Sequence, residues 1–242
     1  MEQTTDKRFH LGEIQVDVVL KDIRNIHLGV YPPHGRVRVA APTGTNLERL
    51  RLFLVSKLDW IKKQRKKVLG QKRETKRDYL DRESHFVWGR RYLLKVQERN
   101  APPVIELKAN QMVLGVRPGT SRDRRAEVVE AWYRKLVKDS ASQWVEKWEP
   151  KLKVSLGHLH VRAMRTRWGT CNPSTSTIRL NTDLAKKPPE CLEYIVVHEL
   201  VHLLEPTHNA RFVALMNRHM PDWRHRRQVL NSLPVRHEEW EY

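Results

Sequence analysis

The chain has 242 residues, with 46 Lys and Arg against 28 Asp and Glu, a net charge of +18. Its 39% hydrophobic content is too high for a chain disordered throughout, and its length allows one or two domains with a real core. No apolar run approaches the ~20 residues of a membrane span, the first residues lack the basic start and apolar core of a signal peptide, and two cysteines, Cys171 and Cys191, exclude a disulfide framework or a cysteine-rich zinc ribbon. A cytoplasmic protein without membrane contact is expected.

The N-terminal region reads as strands. Ile14, Val16 and Val18 alternate with polar residues, as do Ile26, Leu28 and Val30. Val37, Val39 and Ala41 repeat the pattern after the turn signal Pro32-Pro33-His34-Gly35. A small antiparallel sheet with one buried face is predicted. The period then changes: Leu47, Leu50, Phe53, Leu54, Leu58 and Ile61 have helical spacing, with Asn46 as N-cap. This helix runs into a basic stretch and weakens at Gly70. Residues 71–83 carry no apolar stripe and read as a helical extension or a connector, so a basic helical extension is placed at about 62–83. From Lys62 to Arg91 there are 12 basic and 4 acidic residues. Such a stretch suits phosphate backbones or acidic partners, and it equally suits a solvated helical face.

Strands resume at Phe86–Trp88 and Tyr92–Val96, around Gly89. Val104–Leu107 and Met112–Val116 form a hairpin turning near Asn110. A long helix is predicted from Arg122 to about Lys153, with Val128, Ala131, Trp132, Leu136, Ala141, Trp144 and Trp148 along one stripe. A strand at His158–Ala163 leads to Trp168-Gly169-Thr170-Cys171, then a polar turn, then the strand Ile178–Asn181. Pro188 and Pro189 open a helix and Pro206 closes it. Shorter helices follow at about 209–219 and 222–232. The tail from His237 to Tyr242 has no assignment, and no internal repeat is visible.

Residues 195–205 read Ile-Val-Val-His-Glu-Leu-Val-His-Leu-Leu-Glu. His198 and His202 lie at i and i+4 of a helix, so both imidazoles stand on one face and can reach one zinc ion. Glu199 lies between them in sequence, where its carboxylate can act on a zinc-bound water without being a ligand. The apolar flanks bury this helix, where unpartnered histidines would be costly. His208, just past Pro206, is the third ligand, which leaves a fourth position open. Glu205 is the backup, but it lies seven residues from His198 on the same helix. Cys171 reads as a buried small residue in a turn, with a zinc-ligand role as the lesser alternative. Arg167 either positions a substrate carbonyl or merely stacks or pairs. Trp168, Phe212 and Trp223 read as core. His160, His219 and His225 lack ligand spacing.

Together, Trp168-Gly169-Thr170-Cys171, Ile178-Arg179-Leu180-Asn181, His198-Glu-Leu-Val-His202 and His208-Asn-Ala-Arg-Phe212 resemble the YgjP-like metallopeptidase family, itself related to SprT-like zinc proteases. Val39-Ala40-Ala41-Pro42, Leu58-Asp59-Trp60-Ile61 and Gly89-Arg90-Arg91-Tyr92 extend the likeness over most of the chain. Thr170 stands where the family has Ser, Thr207 where it has Asn, Asn209 where it has Ser and Val213 where it has Trp. None of these removes a ligand or the glutamate. The resemblance implies a zincin-type fold, with the zinc helix packed on a short sheet and strand Ile178–Asn181 bordering the cleft as an edge for a bound peptide. It also implies zinc-dependent peptide hydrolysis with Glu199 as general base.

The expected architecture is α+β: an N-terminal sheet-and-helix region over 1–120 and a zincin-like domain over 121–242. The expected partners are Zn2+, a peptide or protein substrate, and non-specific nucleic acid along Lys62–Arg82. The rival reading is a nucleic-acid-binding protein with a structural or vestigial zinc site. A protease acting on nucleic-acid-associated proteins would merge the two.

Overall fold

The computed structural model describes residues 6–32 and 34–235. Among these are six α-helices and three small sheets, a mixed α+β architecture. The chain forms two compact units. One takes the described residues up to Glu74 with Pro234 and Val235, and the other runs from Thr75 to Leu233. The position 120/121, expected as a domain boundary, falls inside the second unit. Strands before it and helices after it share one hydrophobic core, so the chain does not divide there. The tail from His237 lies outside the described residues.

In the first unit, β1 (Asp6–Leu11), β2 (Ile14–Lys21), β3 (His27–Tyr31) and β4 (Arg36–Pro42) form a sheet in the order β1-β2-β4-β3. The sheet is mixed, not antiparallel, because β2 and β4 run parallel, Val18 opposite Val39. A period of two looks the same in either pairing direction, so alternation alone cannot distinguish them. The buried face carries Ile14, Val16, Val18, Val37, Val39 and Ala41. It packs with Leu50 and Leu54 of α1 (Leu47–Ser56) and Ile61 of α2 (Leu58–Gly70). Asn46 caps α1, its Oδ1 accepting from the amides of Glu48 at 2.9 Å and Arg49 at 3.2 Å. The expected single helix is broken at Lys57, and the helix ends at Gly70. Residues 71–83 are not helical, since no apolar face there could be buried to offset the cost of ordering a helix.

The second unit repeats the strand topology. β5 (Ser84–Val87), β6 (Arg90–Glu98), β7 (Val104–Lys108) and β8 (Gln111–Val116) pair in the order β5-β6-β8-β7, again two hairpins joined by a parallel pair. The long helix α3 (Arg122–Leu152) follows, capped by the Ser121 hydroxyl. Its buried line is Val129, Tyr133, Val137, Ala141, Val145, Trp148 and Leu152. Of the expected stripe, Ala141 and Trp148 lie on this line, whereas Val128, Trp132, Leu136 and Trp144 flank it and are half-buried.

The third sheet comprises β9 (His158–Arg162), β10 (Gly169–Asn172) and β11 (Thr177–Asn181), ordered β10-β11-β9. Strand Ile178–Asn181, expected at an edge, is the central strand. It pairs antiparallel with β10 and parallel with β9, so its backbone groups are already used. Helix α4 (Pro189–Val201) packs on this sheet and on α3 and is followed by α5 (Ala210–His219) and α6 (Trp223–Ser232). Glu193 anchors α4: its buried carboxylate accepts from Lys147 Nζ at 3.1 Å, Trp148 Nε1 at 3.1 Å and Arg226 Nη1 at 2.6 Å. Burial raises its pKa, but those three hydrogen bonds outweigh burial and leave it lowered. No helix among the described residues is long and apolar enough to cross a membrane.

Candidate metal centre

Pro189 at the first position of α4 places a residue without an amide hydrogen where none is required. From Cys191 to Val201 nearly every side chain of α4 is buried. His198 sits in its last turn and His202 caps its C-terminal end, still in helical backbone conformation. The chain then turns through Pro206, and Asn209 caps α5 by accepting from the Phe212 amide at 3.0 Å. That tight reversal returns His208 to the other two histidines.

One nitrogen from each of His198, His202 and His208 lies within 4.8 Å of the others. His198 Nε2 and His208 Nε2 stand 3.0 Å apart. Among the described residues this is the one group of three or more His, Cys, Asp or Glu side chains placed to hold a metal ion. His202 is buried, His198 half-buried and His208 exposed, so the cluster opens toward solvent on the His208 side. The Phe212 ring lies 4.7–5.0 Å from all three imidazoles, centroid to centroid. It is core, as expected, and it also forms the floor of the cluster.

The electrostatics favour neutral imidazoles, the form that binds metals. Burial pushes the His198 pKa down to about 3, helped by His202, His208 and Arg227. His208 is lowered by the same cause, with help from His202 and Arg227. His202 Nδ1 lies 3.0 Å from the Glu205 carbonyl oxygen. A proton on Nδ1 donates there and leaves the Nε2 lone pair free. His198 Nδ1 is buried without a hydrogen-bond partner. Three imidazole nitrogens converging on one point, with no acid among them, fit a bound cation. Glu205 is not a member of the group. Its carboxylate accepts from the Thr207 hydroxyl at 2.9 Å, and its contribution is the backbone carbonyl facing His202.

Glu199 is 4% exposed and points toward β10. Burial pushes its carboxyl up to about 8, against the pull of the exposed Arg167. Gly169 makes this possible, since a Cβ there would stand 2.6 Å from Glu199 Oε1. Cys171 lies on β10 rather than in a turn, half-buried. Burial and the nearby Glu199 raise its thiol to about 11, and it is not among the side chains that converge with the three histidines. Arg167 enters the site through its charge and through its carbonyl, which accepts from Asn181 Nδ2 at 2.9 Å. Trp223 is buried as expected, and Trp168 is half-buried against the core. His160 stacks on His158, and neither His219 nor His225 joins the cluster.

The chain belongs to the YgjP-like metallopeptidase family, whose domain spans residues 24–233. The metallopeptidase zymogen of Pyrococcus abyssi abylysin is similar at 21% identity over 38% of this chain and 87% of that one, with a TM-score of 0.32. The zymogen of Methanocaldococcus jannaschii jannalysin is similar at 19% identity over 39% and 92%, with the same TM-score. No curated protein matches the chain.

Proposed function

We propose that this metallopeptidase is a zinc-dependent endopeptidase of the zincin type, with His198, His202 and His208 as ligands and Glu199 as general base. The observation that carries the reading is the convergence of the three imidazole nitrogens within 4.8 Å. An all-nitrogen donor set suits zinc better than magnesium or calcium, which take oxygen ligands. Three ligands leave a coordination position open, which favours a catalytic over a structural site. The zinc supplies Lewis acidity, polarising a carbonyl and making water easier to deprotonate.

The protein's own residues do the rest. Glu199 takes a proton from the attacking water at a carboxylate oxygen and returns it to the departing amine nitrogen. Its burial makes the carboxylate a stronger base than one in water. Phe212 keeps water away from the inner side of the imidazoles. The peptide backbone pairs with the outer edge of β10, the strand that touches Glu199 and pairs with β11 on its other side.

Glu199→Gln tests the assignment. It should keep zinc and lose peptide hydrolysis by about 10²–10⁴-fold, because an amide cannot accept the proton. A variant with wild-type turnover would remove Glu199 from the mechanism.

A further inference from the structure

We infer that the first unit binds single-stranded nucleic acid in a groove between the β1–β2 hairpin and helices α1 and α2. The groove has a volume of about 630 Å³. Arg51 of α1 and Lys62 and Arg65 of α2 line it, with His10 from the hairpin, and Glu13 is the one carboxylate there. The helical period explains the convergence. Ile61 is buried in the core, so Leu58, Lys62 and Arg65 fall on the adjoining face of α2. Arg65 is positioned rather than free, its Nε donating to the Gly35 carbonyl at 3.1 Å. Three permanent cations in one groove repel one another, and a polyanion relieves that repulsion. The exposed Lys63, Lys66 and Lys67 extend the positive surface along α2.

The groove is not only charged. Val55, 52% exposed, and Leu58 give it an apolar wall. The backbone of a duplex would leave that wall uncovered, because its bases are stacked inside. An unstacked base of a single strand can lie against it. Trp60, 42% exposed, lies on the far side of α2 from Leu58, Lys62 and Arg65 and takes no part in the groove. A run of Asp and Glu side chains matches the charge but carries no flat apolar group for this wall. The inference stands apart from the metal centre and does not depend on peptidase activity.

Fluorescence anisotropy on the full chain tests it, with labelled dT12, the dT12·dA12 duplex and poly-L-glutamate as probes between 50 and 200 mM salt. Single-stranded dT12 should bind most tightly. Three phosphate contacts give a slope of log affinity against log salt near −2, at about 0.7 per contact. Replacing Arg51 and Lys62 by Gln should weaken binding about tenfold and flatten the slope by about 1.4. Lys138→Gln, an exposed site on α3, should change nothing. If the double variant unfolds, the exposed Lys62→Gln alone replaces it, with a slope change of about 0.7. Absence of binding at 50 mM salt would overturn the inference. So would tighter binding of the duplex or of poly-L-glutamate, or an equal loss in Lys138→Gln.

Discussion

A Cβ on Gly169 would stand 2.6 Å from Oε1 of Glu199, 2.9 Å from its Cγ and 2.9 Å from Cγ2 of Ile195. Gly169 has an ordinary backbone conformation, so the requirement for glycine is one of space alone. Gly169→Ala should therefore push the Glu199 carboxylate out of place or lift β10 from α4. Overpacking of this kind costs about 1–3 kcal/mol of stability. Peptide hydrolysis should fall further than the melting temperature accounts for, with zinc content unchanged. Full activity at full metal loading would show that β10 accommodates the methyl group without disturbing the glutamate.

His208→Ala should lose zinc, and the loss in affinity should exceed the 10–100-fold typical of removing an outer hydrogen-bond partner. Glu205→Ala should lose far less, because its carboxylate turns to Thr207 and its backbone carbonyl, which faces His202, survives the substitution. Competition for zinc against a chromogenic chelator measures both. Equal losses in the two variants would place the Glu205 side chain among the ligands.

Asn181 ties the loop before β10 to the sheet. Its Nδ2 donates to the carbonyls of Met164 at 2.8 Å and Arg167 at 2.9 Å, and its Oδ1 accepts from the Asp183 amide at 3.1 Å. Asn181→Ala removes the partners of three backbone groups, at about 1–3 kcal/mol for each that water cannot reach. Chemical denaturation should show a loss in that range or above it. Asn181→Asp should rescue little, since a carboxylate cannot donate to the two carbonyls.

The metal helix was legible because its signals are local. His198 and His202 follow from spacing, and the start of the helix at Pro189 follows from backbone chemistry, whereas α4 ends at Val201, short of the expected stop at Pro206, so Glu205 is not on it. His208 was legible as a histidine just past that proline. Phe212 and Gly169 were recognised as parts of motifs, but their roles depend on what lies across the site. A periodic apolar residue looks the same whether it faces Leu or an imidazole. The direction of β2 against β4 was hidden for a related reason, since a strand's alternation says which face is buried and not which neighbour it pairs with. The repeated double-hairpin topology of the two four-stranded sheets leaves no mark in residue identity, because many sequences satisfy one pairing pattern. In the first half of α3 the buried line lies one residue from the expected stripe, because Val128, Trp132 and Leu136 are as apolar as Val129, Tyr133 and Val137 beside them; Ala141 and Trp148 fall on it as expected.

His85 should make the second unit sensitive to mild acid. Its side chain is 3% exposed, with Nε2 3.1 Å from Glu83 Oε1. Burial pushes its pKa down to about 4, the pull of Glu83 being too weak to offset it and Arg77 and Lys186 adding to the fall. In the unfolded chain an imidazole titrates near 6.5. The folded state therefore refuses a proton that the unfolded chain accepts between these values. The sign follows: this contribution to stability is complete above about pH 6.5 and is lost progressively as the pH falls toward about 4. At about 1.4 kcal/mol per pH unit the loss approaches ~3 kcal/mol over that window. His85→Leu removes the titrating group while keeping the volume apolar. Its unfolding free energy, from urea titrations at pH 7.0, 6.0 and 5.0, should fall less steeply with acid than that of the wild type. Parallel slopes in the two proteins would mean that His85 takes up a proton as readily in the folded chain as in the unfolded one, and the acid sensitivity would then lie with other groups.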